Sequence, residues 1–168
     1  MKQEHENRKR LNKKYWKYIL IIIFLCSCLF LQKEQSTIRI IKGILFSVIL
    51  SYASFYDIEH HEIPDWVHVV LFLIGFMEWK FLPSIVGMIL IAIPFLFVAF
   101  MEHGGIGGGD IKYMIASGFL LGAKAILYGS LIALTLAVIL NIGKSKKNKK
   151  IAMAPYLSIG CFLAFLFY

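Results

Sequence analysis

Long apolar runs alternate with short polar breaks along almost the whole chain. Seven such runs stand out, at 15–31, 38–56, 66–79, 81–101, 111–123, 125–142 and 151–168. They are too continuous for amphipathic surface helices and lack the alternation of half-buried strands. A helix that crosses a bilayer takes about 20 mostly apolar residues. The third run carries Glu78, and the fifth has only about 13 residues, or near 20 Å of helix. The pattern predicts an all-α, polytopic integral membrane bundle of six or seven transmembrane helices, with the fifth run either crossing or lying tilted. Residues 1–14 read as a basic tail and 15–168 as a single membrane-embedded domain. Any chemistry is then expected on the bundle itself or in its short loops.

Composition sharpens this reading. Hydrophobic residues make up 59% of the 168, above the roughly half of a soluble domain. The net charge of +8 would suggest nucleic acid in a soluble protein. Here the basic residues gather at the ends of apolar runs, which points to membrane orientation and to no nucleic-acid partner. With the N-terminus inside, the breaks at 57–65, 102–110 and 143–150 also fall inside. Of the 18 basic residues, 13 are then inside and 5 outside. The positive-inside rule therefore predicts a multi-pass plasma-membrane protein with a cytoplasmic N-terminus and an extracytoplasmic C-terminus. The lysines at 144–150 anchor that topology and suit anionic lipid. Tyr15, Trp16, Tyr18, Trp66 and Trp79 read as interfacial aromatics. Residues 1–31 resemble a secretory signal in outline, but Cys26 stands where a cleavage site needs a small residue, so they are expected to stay. Cys26, Cys28 and Cys161 form no C-x-x-C pair, which argues against a zinc ribbon or a disulfide framework.

The acidic residues are placed unlike the basic ones. Six of ten, Asp57, Glu59, Glu62, Asp65, Glu102 and Asp110, lie in the two inside breaks at 57–65 and 102–110. His60, His61, His68 and His103 lie in them or just beyond, and neither break contains Lys or Arg. Two acidic loops on the basic side call for a function. Asp57 ends an apolar run, and Pro64 stops any helix from continuing into the next. Asp110 opens a run after five glycines in six residues, a segment able to turn tightly and approach another backbone. Taken alone, Asp57 is a solvated loop charge as readily as a functional one, and Asp110 a plain helix N-cap. The glycine segment lacks the Gly-Lys-Ser/Thr ending of a phosphate loop. Taken together, the two aspartates are carboxylates on one side of the membrane, at helix ends that can meet. Two close carboxyls share a proton, so that one is an acid while the other activates water. Helix dipoles would push Asp57, at a C-terminus, toward the protonated form, and Asp110, at an N-terminus, toward the anion. A rival reading makes the His and carboxylate groups a divalent-metal site in a transporter or metal-binding membrane protein. His60 and His61 are adjacent and ill-placed to share a metal, and none of the four lies mid-run.

These same residues carry a family resemblance. Asp57 followed by Ile63-Pro64-Asp65 resembles the first motif of type IV prepilin peptidases. Gly107-Gly108-Gly109-Asp110-Ile111-Lys112 matches their G-x-G-D-x-K motif. Met114 to Gly122 resembles their L-x-A-x-G-x-x-x-G helix, and Ala154-Pro155-Tyr156-Leu157-Ser158-Ile159-Gly160 their last motif. The four stand in order from about residue 40 onward. The residues just before Pro155 depart from the family's Pro-Phe. The resemblance implies a polytopic G-x-G-D aspartyl peptidase with Asp57 and Asp110 catalytic and Pro64, Asp65, Gly107, Gly109 and Lys112 in supporting motif positions. It implies prepilin-like, Flp-like or archaellin-like protein substrates that carry a basic leader and a hydrophobic helix, cleaved at the cytoplasmic face. It calls for no cofactor and no metal. Larger members add a zinc-binding segment with C-x-x-C pairs and methylate the new N-terminus. This chain resembles the short, peptidase-only kind. Presenilin and signal peptide peptidase share the Tyr-Asp and Gly-x-Gly-Asp elements, but their Pro-Ala-Leu motif is missing here.

Overall fold

The computed structural model describes residues 36–101, 107–141 and 152–168, and all their regular structure is helical. There are six helices in this part: α1 (Thr37–His60), α2 (Asp65–Gly75), α3 (Phe81–Met101), α4 (Gly108–Leu121), α5 (Ala123–Asn141) and α6 (Ala154–Phe167). They correspond to the second through seventh apolar runs; the first run lies outside the described residues. Three of them, α1, α3 and α5, are long and apolar enough to cross a membrane. The chain is thus an all-helical membrane bundle. The other three are shorter, with 11 residues in α2 and 14 each in α4 and α6.

Local chemistry sets the helix ends. The Ser36 side chain accepts from the Arg39 N–H and caps the start of α1. At its other end His61 takes a left-handed conformation and returns its N–H to the Asp57 carbonyl at 2.8 Å. Pro64 then sits extended before α2, as its missing N–H and fixed φ require. Helix α2 stops four residues short of the run predicted from hydropathy, because the chain turns through Phe76 and Glu78, the latter at φ 56°. Helix α6 starts three residues later than its run, with Pro155 in the first turn, where a missing N–H costs nothing.

Helices α5 and α6 pack together, as do α3 and α4, while α1 lies along α6 and α2 along α4. The closest approaches occur at glycines. A Cβ on Gly87 of α3 would come within 2.5 Å of the Gly118 carbonyl oxygen of α4. A Cβ on Gly160 of α6 would overlap the Gly129 carbonyl oxygen of α5. Small residues at such crossings let backbones meet where no hydrophobic effect operates between helices. Phe46, Leu71, Ile91, Tyr113, Met114, Ile126 and Leu157 fill the centre of the bundle. Its outside is equally apolar: Leu82, Ile93, Phe97, Leu131 and Ile139 are exposed, as expected where lipid is the solvent.

Candidate active site

Asp57 lies in the last turn of α1, and three residues of helix follow it. Its side chain points inward and is only 4% exposed. One carboxylate oxygen accepts the backbone N–H of Ala154 at 2.8 Å. Ala154 is the first residue of α6, so this N–H is one of the donors that a helix leaves without an internal partner. A buried carboxylate therefore meets an orphan amide, and each satisfies the other.

Asp110 stands in the first turn of α4, but it is not the cap. The cap is Gly107, which has no side chain to offer, and the Asp110 N–H returns to the Gly107 carbonyl at 3.0 Å. Asp110 lies outside the three long spans. Burial, and then the charge of Asp57, push its carboxyl up to about 7, against the Gly107 amide, which pulls the other way. The two sequence-predicted aspartates are thus electrostatic neighbours. The dipole argument had favoured a protonated Asp57. The hydrogen bond from Ala154 works against that, since an anion accepts such a bond more strongly than a neutral acid, while burial of the carboxyl works for it.

One helical turn deeper lies a shared layer of hydroxyls. Ser54 is three residues before Asp57, Tyr113 three after Asp110, and Ser158 four after Ala154. All three are buried. Ser158 Oγ lies 2.8 Å from Ser54 Oγ and 2.7 Å from the Tyr113 hydroxyl, and both serines reach the Leu50 carbonyl. This layer ties α1, α4 and α6 together directly beneath the carboxyls. His68 of α2 is buried edge-on to Tyr113, with ring centroids 6.5 Å apart. Neither of its ring nitrogens has a hydrogen-bond partner among the described residues.

The supporting motif residues join the first loop to the second. Lys112 pairs with Asp65 at 2.8 Å, and both are well exposed. That ammonium holds the Asp65 carboxyl below its ordinary range. Gly109 faces Ile63, where an added Cβ would make ordinary contacts from 3.5 Å outward. A Cβ on Gly107 would come 3.2 Å from the Asp110 carboxyl, whereas one on Gly108 would meet nothing. None of the three has positive φ. A close approach therefore accounts for glycine at 107, and no tight turn accounts for any of the three; Gly104 and Gly105 lie outside the described residues.

Among the described residues the remaining polar groups do not join this cluster into a metal site. Among the described residues no three of His, Cys, Asp and Glu converge. His60, His61 and Glu62 are exposed, with His60 stacked on Tyr56. Glu102 and His103 lie outside the described residues. Sequence reasoning had missed the Ala154 amide and the Ser54–Ser158–Tyr113 layer. The hydroxyls did leave a signal, because each falls one helical turn from a motif position on an otherwise apolar helix. The amide left none, since every residue but proline carries one.

Comparison with known proteins fits this arrangement. No solved structure matches the chain. The prepilin leader peptidase/N-methyltransferase of Bacillus subtilis (strain 168) is 31% identical over 151 residues, an alignment covering 78% of this chain and 57% of that protein. The chain thus spans little more than half the length of the curated relative it matches. The profile of the type IV leader peptidase family matches residues 44–142, which include Asp57, the Asp65–Lys112 pair and the Gly107–Asp110 segment. The chain belongs to the type IV leader peptidase family.

Proposed function

We propose that the chain is a membrane aspartyl endopeptidase in which Asp57 and Asp110 act as a pair. One observation carries this: a buried carboxylate, held by the Ala154 amide, whose charge acts on a second carboxyl poised near neutrality. Two groups with environments so different divide the work of acid and base. Asp57, the better anion, takes a proton from a water as the water oxygen attacks the peptide carbonyl carbon. Asp110 gives its proton to the carbonyl oxygen, and a tetrahedral diol forms. Asp57 then passes its proton to the departing nitrogen, Asp110 recovers one from the diol, and the C–N bond breaks. The water is consumed, and both carboxyls return to their starting protonation states.

The bond cleaved is the one joining a short basic leader to a hydrophobic helix in a prepilin-like precursor, as family membership and the relative's activity suggest. The lysine distribution supports a cleavage site at the cytoplasmic face of the plasma membrane. The activity is cleavage without methylation, because the chain's three cysteines cannot supply paired C-x-x-C motifs. Co-expression with candidate precursors tests the proposal through loss of leader mass, which should persist in EDTA. Intact precursors throughout the panel, or methyl transfer to the cleaved product, would count against it.

A further inference from the structure

A second polar site lies at the end of the bundle far from the aspartates. Lys42 is 15 residues before Asp57 on α1, and Leu120 is ten after Asp110 on α4, which separates the two ends by roughly 15–22 Å along the helices. There a cavity of about 190 Å³ is bordered by Arg39, Lys42 and Lys80, with one carboxylate, Glu78. Among the described residues three cations and one carboxylate border a space with room for a tetrahedral oxyanion.

The cavity is a built feature of the fold. Lys42 is only 6% exposed and donates to the Leu120 carbonyl at 3.3 Å. Arg39 reaches the Phe165 carbonyl at 3.5 Å and lies 5.8 Å from the centre of that ring. Carbonyls at the C-termini of α4 and α6 thus fix two cations in place. Capping those helix ends explains one cation each, but Lys80 caps neither by any contact with Leu120 or Phe165, and the three together line one space. Glu78 holds its place at φ 56°, a conformation that costs a non-glycine residue free energy and gathers at functional sites. The level in the membrane is also informative. Helices α1 and α3 begin here and α6 ends here, and the aromatics Trp79, Tyr128 and Tyr168 cluster at the same end, as at a bilayer interface.

We infer that this cavity binds a phosphate oxyanion at the membrane surface, in the first instance the headgroup phosphate of an anionic phospholipid. Buried or half-buried cations fixed by backbone carbonyls offer directed donors to such an anion, and charge-assisted bonds of this type are the strong ones. The inference is independent of the peptidase reading. The purified full chain, stripped of lipid in neutral detergent, tests it. Phosphatidylglycerol should bind and raise the melting temperature, and diacylglycerol with the same acyl chains should not. The double variant Arg39→Gln/Lys80→Gln keeps the buried Lys42, and its own lipid-free melting temperature is the baseline from which its lipid shift is read. It should bind phosphatidylglycerol at least about tenfold more weakly, the effect of losing one good charged contact. An equal shift from inorganic phosphate would confirm the oxyanion site and assign it to a free anion; a shift from the lipid alone would assign it to the headgroup. Equal stabilisation by diacylglycerol, or undiminished phosphatidylglycerol binding by the double variant, would overturn the site.

Discussion

Asp57 and Asp110 come to their pairing by different means, one through a helix-end amide and the other through burial beside a charge. Asparagine nearly matches aspartate in shape but cannot serve as a base. Asp57→Asn and Asp110→Asn should therefore each insert and fold yet abolish leader removal, and the double variant should be no worse than either, since the pair acts as a unit. Mass analysis of precursors against expression level checks this; substantial cleavage by either single variant would show that the pair is misassigned. The pH dependence follows from Asp110. Its carboxyl moves from 3.8 to about 7 on folding, so the folded chain keeps a proton that the unfolded chain releases. This contribution to stability is fully present below about pH 4 and lost as pH rises through 7. Cleavage should fall over the same upper limb, and Asp110→Asn should flatten the dependence of melting temperature on pH between 4 and 7. That the two aspartates could meet was legible in the sequence, because both stand at the ends of apolar runs on one side. Their environments were not, because the amide that meets Asp57 belongs to residue 154, distant in sequence.

At the scale of helices, hydropathy located all six described elements but misjudged how far some extend. The run at 151–168 is uniformly apolar, and only the start of α6 at Ala154 reveals that its helix is 14 residues long. The glycines show the same division. Their placement in motifs was visible, but whether each serves a turn or a contact depends on a partner helix distant in sequence. Gly87→Ala and Gly160→Ala should each destabilise the bundle by about 1–3 kcal/mol, the usual cost of forcing atoms into a packed crossing; thermal melts in detergent measure this. The glycine motif before Asp110 should respond unevenly. Gly108→Ala should retain activity, since nothing lies within reach of the new methyl. Gly107→Ala should lower turnover by pressing on the Asp110 carboxyl, and Gly109→Val should fail where it meets Ile63. Equal loss across the three positions would point instead to a need for backbone freedom.

For the molecule as a whole, the lysine count predicts which end faces the cytoplasm. Glu62 and Lys124 are exposed near opposite ends of the bundle. In intact cells a membrane-impermeant thiol reagent should label Lys124→Cys and reach Glu62→Cys only after permeabilisation; the reverse pattern would invert the proposed orientation and move the aspartates to the other face. That the fold is a lipid-solvated helix bundle could be read from the alternation of runs. That the third and fifth runs give short helices could be read too, from Glu78 and from a run of only about 13 residues; that α6 is short could not, because hydropathy marks which residues avoid water and says nothing of where a helix starts. This shortness has a consequence for the environment the protein needs. Helices α4 and α6 are each about 21 Å long, against a hydrocarbon layer of about 30 Å, yet they carry Asp110 and the Ala154 amide. A bilayer must thin, or the bundle must tilt, to suit elements of such unequal reach, at fractions of a kcal/mol per ångström. We expect bilayer thickness to govern cleavage, thinner membranes admitting water to the proposed carboxyl pair at less elastic cost. In vesicles whose acyl chains lengthen from 14 to about 20 carbons, cleavage of one precursor should slow steadily, with the lipid itself acting as the governor of rate.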